Sequence, residues 1–235
     1  MSERVESQGE KAAREELGGR TLVLLRPLAG PLGLGFLGLA GASFVVGGLQ
    51  LGWVDPAEGK KVALILIAFT VPLQFLASVL SFWARDGVAA TGMGLLSGIW
   101  LAVALVLFTS EPGSTSDALG LFLLLAMLAM WVPATGALSA KLVPALVLGT
   151  AGLRFGLTGL YQLTDSELWE DLAGLVGLAL AALAVYAAAA AELEDTLKRT
   201  VLPLGRRAKG RNAVEGTYAQ QIAELHKEPG VRQQL

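Results

Sequence analysis

The chain has 235 residues, of which 54% are apolar and only 16% charged, and its mean hydropathy is +0.59. A soluble domain carries about 25% charged residues, so the length does not describe one or two soluble cores. The absence of cysteine excludes a disulfide scaffold, a thiolate zinc site and a cysteine nucleophile. A net charge of −2 offers no basic surface for nucleic acid.

Charge is concentrated in residues 1–26 and 192–235. The tract between is apolar, with short polar breaks. This pattern predicts an all-α polytopic membrane domain over residues 27–207, a charged N-terminal tail (1–26) and a polar C-terminal tail (208–235). A hydrocarbon core of about 30 Å needs roughly 20 helical residues. Six stretches meet that length, near Leu28–Leu51, Val62–Trp83, Val88–Phe108, Ala118–Leu138, Leu142–Leu160 and Leu172–Ala191. The first ends at the polar run from Asp55 to Lys61, the second at Arg85-Asp86-Gly87 and the third at Glu111-Pro112-Gly113-Ser114. Ser139-Ala140-Lys141 is a weaker break, and Asp165 to Asp171 ends the fifth span. Barrel strands would alternate apolar and polar residues. Phe122 to Met130 is continuously apolar, and Leu178 to Ala191 is rich in Ala and Leu, so helices are predicted.

Lys and Arg set the orientation. Fifteen of the 18 cations fall on one side: five in the N-terminal tail, eight from Lys198 to Arg232, and Arg85 and Lys141 in the second and fourth loops, while the opposite side holds Lys60 and Lys61. The positive-inside rule then places both termini in the cytoplasm of a multi-pass cell-membrane protein. The loop after the fifth span carries Asp165, Glu167, Glu170 and Asp171 without a cation, which suits the outside. Residues 1–20 lack an apolar core, so the first span is expected to act as its own insertion signal. Trp53, Tyr161 and Trp169 fall at the outer boundary and Trp83 at the inner one, as an aromatic belt. The tail beyond Gly205 reads as partly helical over Thr217–Lys227 or as disordered.

Small residues four apart, at Gly48/Gly52, Gly94/Gly98 and Gly152/Gly156, suit close helix packing or a backbone-lined pore. Pro31, Pro72, Pro133 and Pro144 imply kinks, since proline frees the carbonyl four residues earlier, and Pro72 also marks a possible hydrated path. Polar side chains within or bordering the spans include Gln50, Gln74, Ser78, Ser81, Thr91, Ser97, Thr135, Thr150, Thr158 and Tyr186. Serine and threonine there are expected to bond their own helix. The Gln74 amide cannot be satisfied by its own helix alone, and a water-filled cavity would satisfy it. Arg154 is a full charge well inside the fifth span. Three readings stay open for it: snorkelling to the outer headgroups, pairing with an acid such as Glu58, or attracting an anionic substrate. The chain shows no acid–base pair, metal-ligand set or phosphate-binding loop, so neither an enzyme nor a cofactor is predicted. His226, in the tail, is the only histidine.

Several segments resemble the acetate uptake transporter family, the succinate–acetate permeases. Gly30-Pro31-Leu32-Gly33-Leu34-Gly35 resembles that family's signature at the start of its first helix. Ala173-Gly174-Leu175-Val176-Gly177-Leu178, with Ala184-Val185-Tyr186, resembles its sixth helix. Arg199-Thr200-Val201-Leu202-Pro203-Leu204-Gly205 resembles the segment that follows, and Gly98-Ile99-Trp100 a pattern in the third helix. The resemblance spans residues 26–207. It implies a hexamer of six-helix protomers, each with a pathway for acetate or succinate. It implies a path lined by first-helix glycines and narrowed by a hydrophobic constriction. Pro31, Gly33, Leu34 and Tyr186 then lie on that path, joined by Gln74 and Arg154. Ungapped matching puts the constriction at Leu37, Ser97 and Ala151, each smaller than the family residue, which implies a wider, less aromatic neck. The family's leading Asn falls at Leu28, a family Glu falls near Phe82, and Arg154 matches an apolar position.

The expected function is a membrane route for small carboxylates, passive or proton-linked. No Asp, Glu or His lies inside a span to relay protons, which favours permeation of the acid protonated in bulk, or facilitated diffusion, over a relay. The alternatives are a channel for another small solute and a non-transporting scaffold acting through the charged tails.

Overall fold

The computed structural model describes residues 29–197 and 199–207. The tails at 1–26 and 208–235, with the helix expected over Thr217–Lys227, lie outside the described residues. Six helices long and apolar enough to cross a membrane form among the described residues. They are α1 (Leu32–Gln50), α2 (Pro56–Trp83), α3 (Gly87–Thr109), α4 (Asp117–Leu138), α5 (Leu142–Thr164) and α6 (Glu167–Leu197). Each packs against the next in sequence, and α6 closes back on α1, so the bundle is a ring. One end of the bundle carries both ends of the described chain, Ala29 and Arg207, and is called the terminal face here.

The charged breaks prove shorter than expected. Asp86 caps α3, its carboxylate accepting from the Ala89 N–H at 3.0 Å, and the Ser116 hydroxyl accepts from the Leu119 N–H at the start of α4. Arg85 and Asp165 take left-handed backbone (φ 60° and 52°), which turns the chain within a residue or two. Helix α6 therefore begins at Glu167 rather than Leu172. Its 31 residues rise to roughly 46 Å at 1.5 Å each, longer than the hydrocarbon core. Glu192, Glu194 and Asp195 consequently lie at the terminal end of the bundle, Glu192 against Gly33 in the first turn of α1 and Asp195 against Gly30 just before it.

Helix α2 is not uniform. A wider π-type turn runs from Leu66 to Thr70, just before Pro72, which has no N–H to donate. The turn is clamped from both sides. The Thr70 hydroxyl donates to the Gly38 carbonyl of α1 at 3.1 Å, and the Ser97 hydroxyl of α3 donates to the Val71 carbonyl at 3.0 Å. Ser78 likewise donates to Ala90 of α3 at 2.7 Å. These buried hydroxyls tie neighbouring helices together. The expectation that span hydroxyls bond their own helix holds for Thr135 near the surface; Thr109 and Thr164, beyond the predicted spans, also bond their own helix.

The glycine pairs separate in the same way. Gly152 and Gly156 face α4, where an added Cβ would meet Trp131 at 2.8 Å and the Met127 sulfur. Gly52 instead occupies a turn at φ +69°, and Gly98 has nothing within 4 Å of its Cβ position. A second close seam, between α1 and α6, is made by Gly47 and Gly174. Each places its missing Cβ 3.1–3.2 Å from the other's carbonyl. Without side chains the two backbones approach closely and gain dispersion contacts that lipid does not match.

Residues 199–207 fold back as a strap over the terminal face. The Gly205 and Leu204 carbonyls accept from the Leu142 and Val143 N–H groups at 3.0 and 3.1 Å. They satisfy donors that a helix start leaves open. The Tyr186 hydroxyl donates to the Pro203 carbonyl at 2.9 Å, and Arg206 pairs with Glu194.

Candidate functional site

The interior charge sits on α5. Arg154 lies twelve residues after Leu142 and ten before Thr164, so it is near mid-depth by helical rise. Its residue surface is 1% exposed, so it does not snorkel to the boundary. Glu58 is not its partner either, because Glu58 pairs with Lys61 at 2.5 Å. Arg154 instead donates from Nη2 to Gln50 Oε1 at 3.2 Å. Gln50 ends α1, and its Nε2 donates in turn to Thr158 Oγ1 at 3.3 Å. Thr158 stands one turn after Arg154, on the same helix face. The guanidinium lies over the Trp100 ring, 4.9 Å from its centroid, and Trp100 meets Phe155 edge-on at 5.4 Å.

A buried charge is costly unless it is paired and hydrogen-bonded. Here the compensation is neutral: one carboxamide and one aromatic face, the latter contributing about 2 kcal/mol when desolvated. Among the described residues no carboxylate forms an ion pair with Arg154. Its Nε is buried without a hydrogen-bond partner in the protein, as are Ser43 Oγ and Trp100 Nε1. Gly177 of α6 makes room for the group: a Cβ there would lie 2.6 Å from Nε.

Gln50 and Thr158 also line a cavity of about 110 Å³ that opens away from the terminal face. Tyr161, Gln162, Glu111 and Glu170 complete its polar wall, and Val46, Leu49 and Val103 its apolar one. At the terminal face a cavity of about 270 Å³ lies beneath the strap, lined by Gly30, Ser81, Lys141, Asp195 and Arg206 among others. Burial, reinforced by the neighbouring Arg206 charge, holds the Lys141 amine below its usual range. A third cavity, of about 180 Å³, is bordered by Phe36, Met93, Gly92 and Leu148. Between these spaces Phe36, Leu39, Met93, Leu148, Phe155 and Leu180 pack in a tight apolar core.

The sequence-predicted residues fall in three places. Pro31 and Gly33 lie at the terminal mouth. Pro31 lines the cavity beneath the strap, and a Cβ on Gly33 would collide with the Glu192 carboxylate. Leu34 is half-buried nearby, and Tyr186 anchors the strap. Gln74, Ser97, Ala151 and Arg154 are buried in the bundle. Leu37 is the exception, 44% exposed on the outer surface, so it is kept out of the interior that holds Ser97 and Ala151. Both amide atoms of Gln74 are buried without a hydrogen-bond partner among the described residues, each costing about 1–3 kcal/mol if left so. The first-helix glycines expected to line a path largely face other helices: Gly35 meets Met93 and Ala77, and Gly38 meets Leu73. The Gln50–Arg154 bond and the Gly177 seat were not foreseen. The four-residue spacing of Arg154 and Thr158 was the available signal, but nothing local points to Gln50.

Comparison with known proteins places this architecture. No protein-family model matches the chain, and no curated protein sequence does. Among solved structures the bacterial acetate channel SatP is similar, with a TM-score of 0.68 at 23% identity, covering 76% of this chain and 99% of that one. The chain thus has the six-helix fold of that channel.

Proposed function

We propose that this protein is a membrane channel for small carboxylates, acetate in the first instance, with Arg154 as the charge that draws the anion into the bundle. The observation that carries the reading is the buried Arg154 guanidinium. It is compensated by neutral groups alone among the described residues, inside a fold shared with an acetate channel. An anion about 4 Å from a cation gains about 4 kcal/mol at an effective dielectric of about 20, which offsets part of the cost of shedding water. The buried amide of Gln74 supplies a second polar station. Flux is facilitated diffusion, because no carboxylate or imidazole lies mid-span to relay a proton. The excess of Lys and Arg at the terminal face orients that face toward the cytoplasm, and the protomers assemble as a hexamer.

The test is uptake of radiolabelled acetate into proteoliposomes, with and without a pH gradient. Wild type is expected to transport, Arg154→Leu to lose at least tenfold in rate, and Arg154→Lys to retain part of it. Equal flux in wild type and Arg154→Leu refutes the role of the charge, and no acetate flux in wild type refutes the function.

A further inference from the structure

Building on that reading, we infer that the Gln50 carboxamide occupies the seat of the permeating anion and must be displaced by it. The seat then accepts one singly charged anion and rejects dianions. The carboxamide is planar, and its Oε1 stands where one carboxylate oxygen would stand, accepting from Arg154 Nη2 at 3.2 Å. That is long for a bond from a charged donor. A carboxylate makes it at about 2.7–2.9 Å and roughly twice as strongly. The adjoining Nε has no hydrogen-bond partner among the described residues, although Nε and Nη2 together form the edge of the guanidinium fork that binds carboxylates in pairs of bonds. The occupant is therefore a weak one, and the guanidinium is left under-satisfied in its presence.

The occupant also has somewhere to go. Gln50 and Thr158 form the floor of the 110 Å³ cavity, so an anion arriving from that side meets the carboxamide before Arg154. Rotation of the carboxamide into the cavity opens the guanidinium edge while Thr158 stays in place. The charge of the seat is single, because no other Lys or Arg lies mid-span; Lys60 and Lys61 sit in the first turns of α2. The cavity wall adds Glu111 and Glu170, whose repulsion doubles for a dianion. A monocarboxylate is neutralised by Arg154, whereas a dicarboxylate carries a second charge into the bundle with no partner.

The test uses the full chain in two assays. In proteoliposomes, acetate flux is expected to exceed succinate flux at least tenfold in wild type. Gln50→Glu, which holds a permanent carboxylate against Arg154, is expected to lower acetate flux at least tenfold. In detergent, acetate or nitrate is expected to raise the wild-type Tm through preferential binding to the folded state. The rise is expected to be absent in Gln50→Glu and larger in Gln50→Leu, where the anion has no competitor. Gln50→Glu that transports acetate like wild type, or a Gln50→Leu Tm rise no larger than the wild-type one, overturns the proposal. Comparable wild-type rates for acetate and succinate overturn its monoanion selectivity. If wild type shows no flux but its anion-dependent Tm rise is lost in Gln50→Glu, the seat stands and the channel function fails. If flux depends on Arg154 but is indifferent to residue 50, the channel stands and the seat fails.

Discussion

Gly177→Ala tests whether the guanidinium is held by shape as well as by charge. The new Cβ would lie 2.6 Å from Arg154 Nε, 3.2 Å from Nη2 and 3.2 Å from the Ser43 carbonyl. Ordinary contact begins near 3.4 Å, so Nε must retreat by about 0.8 Å. Trp100 backs the group, its ring centroid 4.9 Å from Cζ, and the bond to Gln50 is already 3.2 Å. The retreat compresses the first contact or breaks the second. Overpacking costs about 1–3 kcal/mol and a lost charge-assisted hydrogen bond about 1.5–3 kcal/mol. These are alternative routes for one strain, so a loss of about 2 kcal/mol is expected. At about 2–4 °C per kcal/mol for a chain of this size, Tm falls by roughly 4–8 °C. The assay is thermal unfolding in detergent, with Gly98→Ala as control because its Cβ meets nothing within 4 Å. An Arg154→Met background should remove most of the Gly177→Ala cost, leaving the share owed to the Ser43 carbonyl. Equal Tm values for Gly177→Ala and Gly98→Ala, or a cost unchanged by Arg154→Met, refute the reasoning.

Three further outcomes are expected. Gly159→Ala places a Cβ 3.0 Å from the Gly120 carbonyl and 3.2 Å from the Leu124 nitrogen. Both are backbone atoms that cannot turn aside, so α4 and α5 separate at a cost of about 2–3 kcal/mol, read as a shortened half-life in detergent at raised temperature. Tyr186→Phe removes the bond to Pro203 and loosens the strap, so limited trypsin should cleave after Arg199 or Arg206 several-fold faster than in wild type. Lys141 titrates below its ordinary 10.5 chiefly because of burial, so its charged form is penalised in the folded protein. That penalty is present near neutral pH and fades as pH rises through the lowered pKa toward 10.5. Lys141→Met should therefore raise Tm at neutral pH and lose that advantage toward pH 10.5.

The six spans could be read from the chain because bilayer thickness imposes a length on each apolar run, and that constraint acts on neighbouring residues. Asp86 marked a break and Pro72 a bend for the same reason: their effects reach only a turn or so along the helix. Polarity and position in the span singled out Gln74 and Arg154, but they left snorkelling open for Arg154, and what each residue touches was not legible. Gln50 and Arg154 lie 104 residues apart, and their bond exists only because α1 and α5 run in the same direction on adjoining sides of α6. Gly152/Gly156 and Gly48/Gly52 look alike in sequence, yet one pair lies on a helix seam and the other ends in a turn. Leu37 and Ala151 are comparable apolar positions, but one faces outward and the other inward. In lipid-facing helices both sides are apolar, so no polar stripe tells the chain's reader which side is inside. Composition decided that this protein crosses the membrane, and where. The packing of the ring alone decided that its one mid-span cation would be held by a neutral carboxamide, since that choice depends on which distant backbones come close enough to touch.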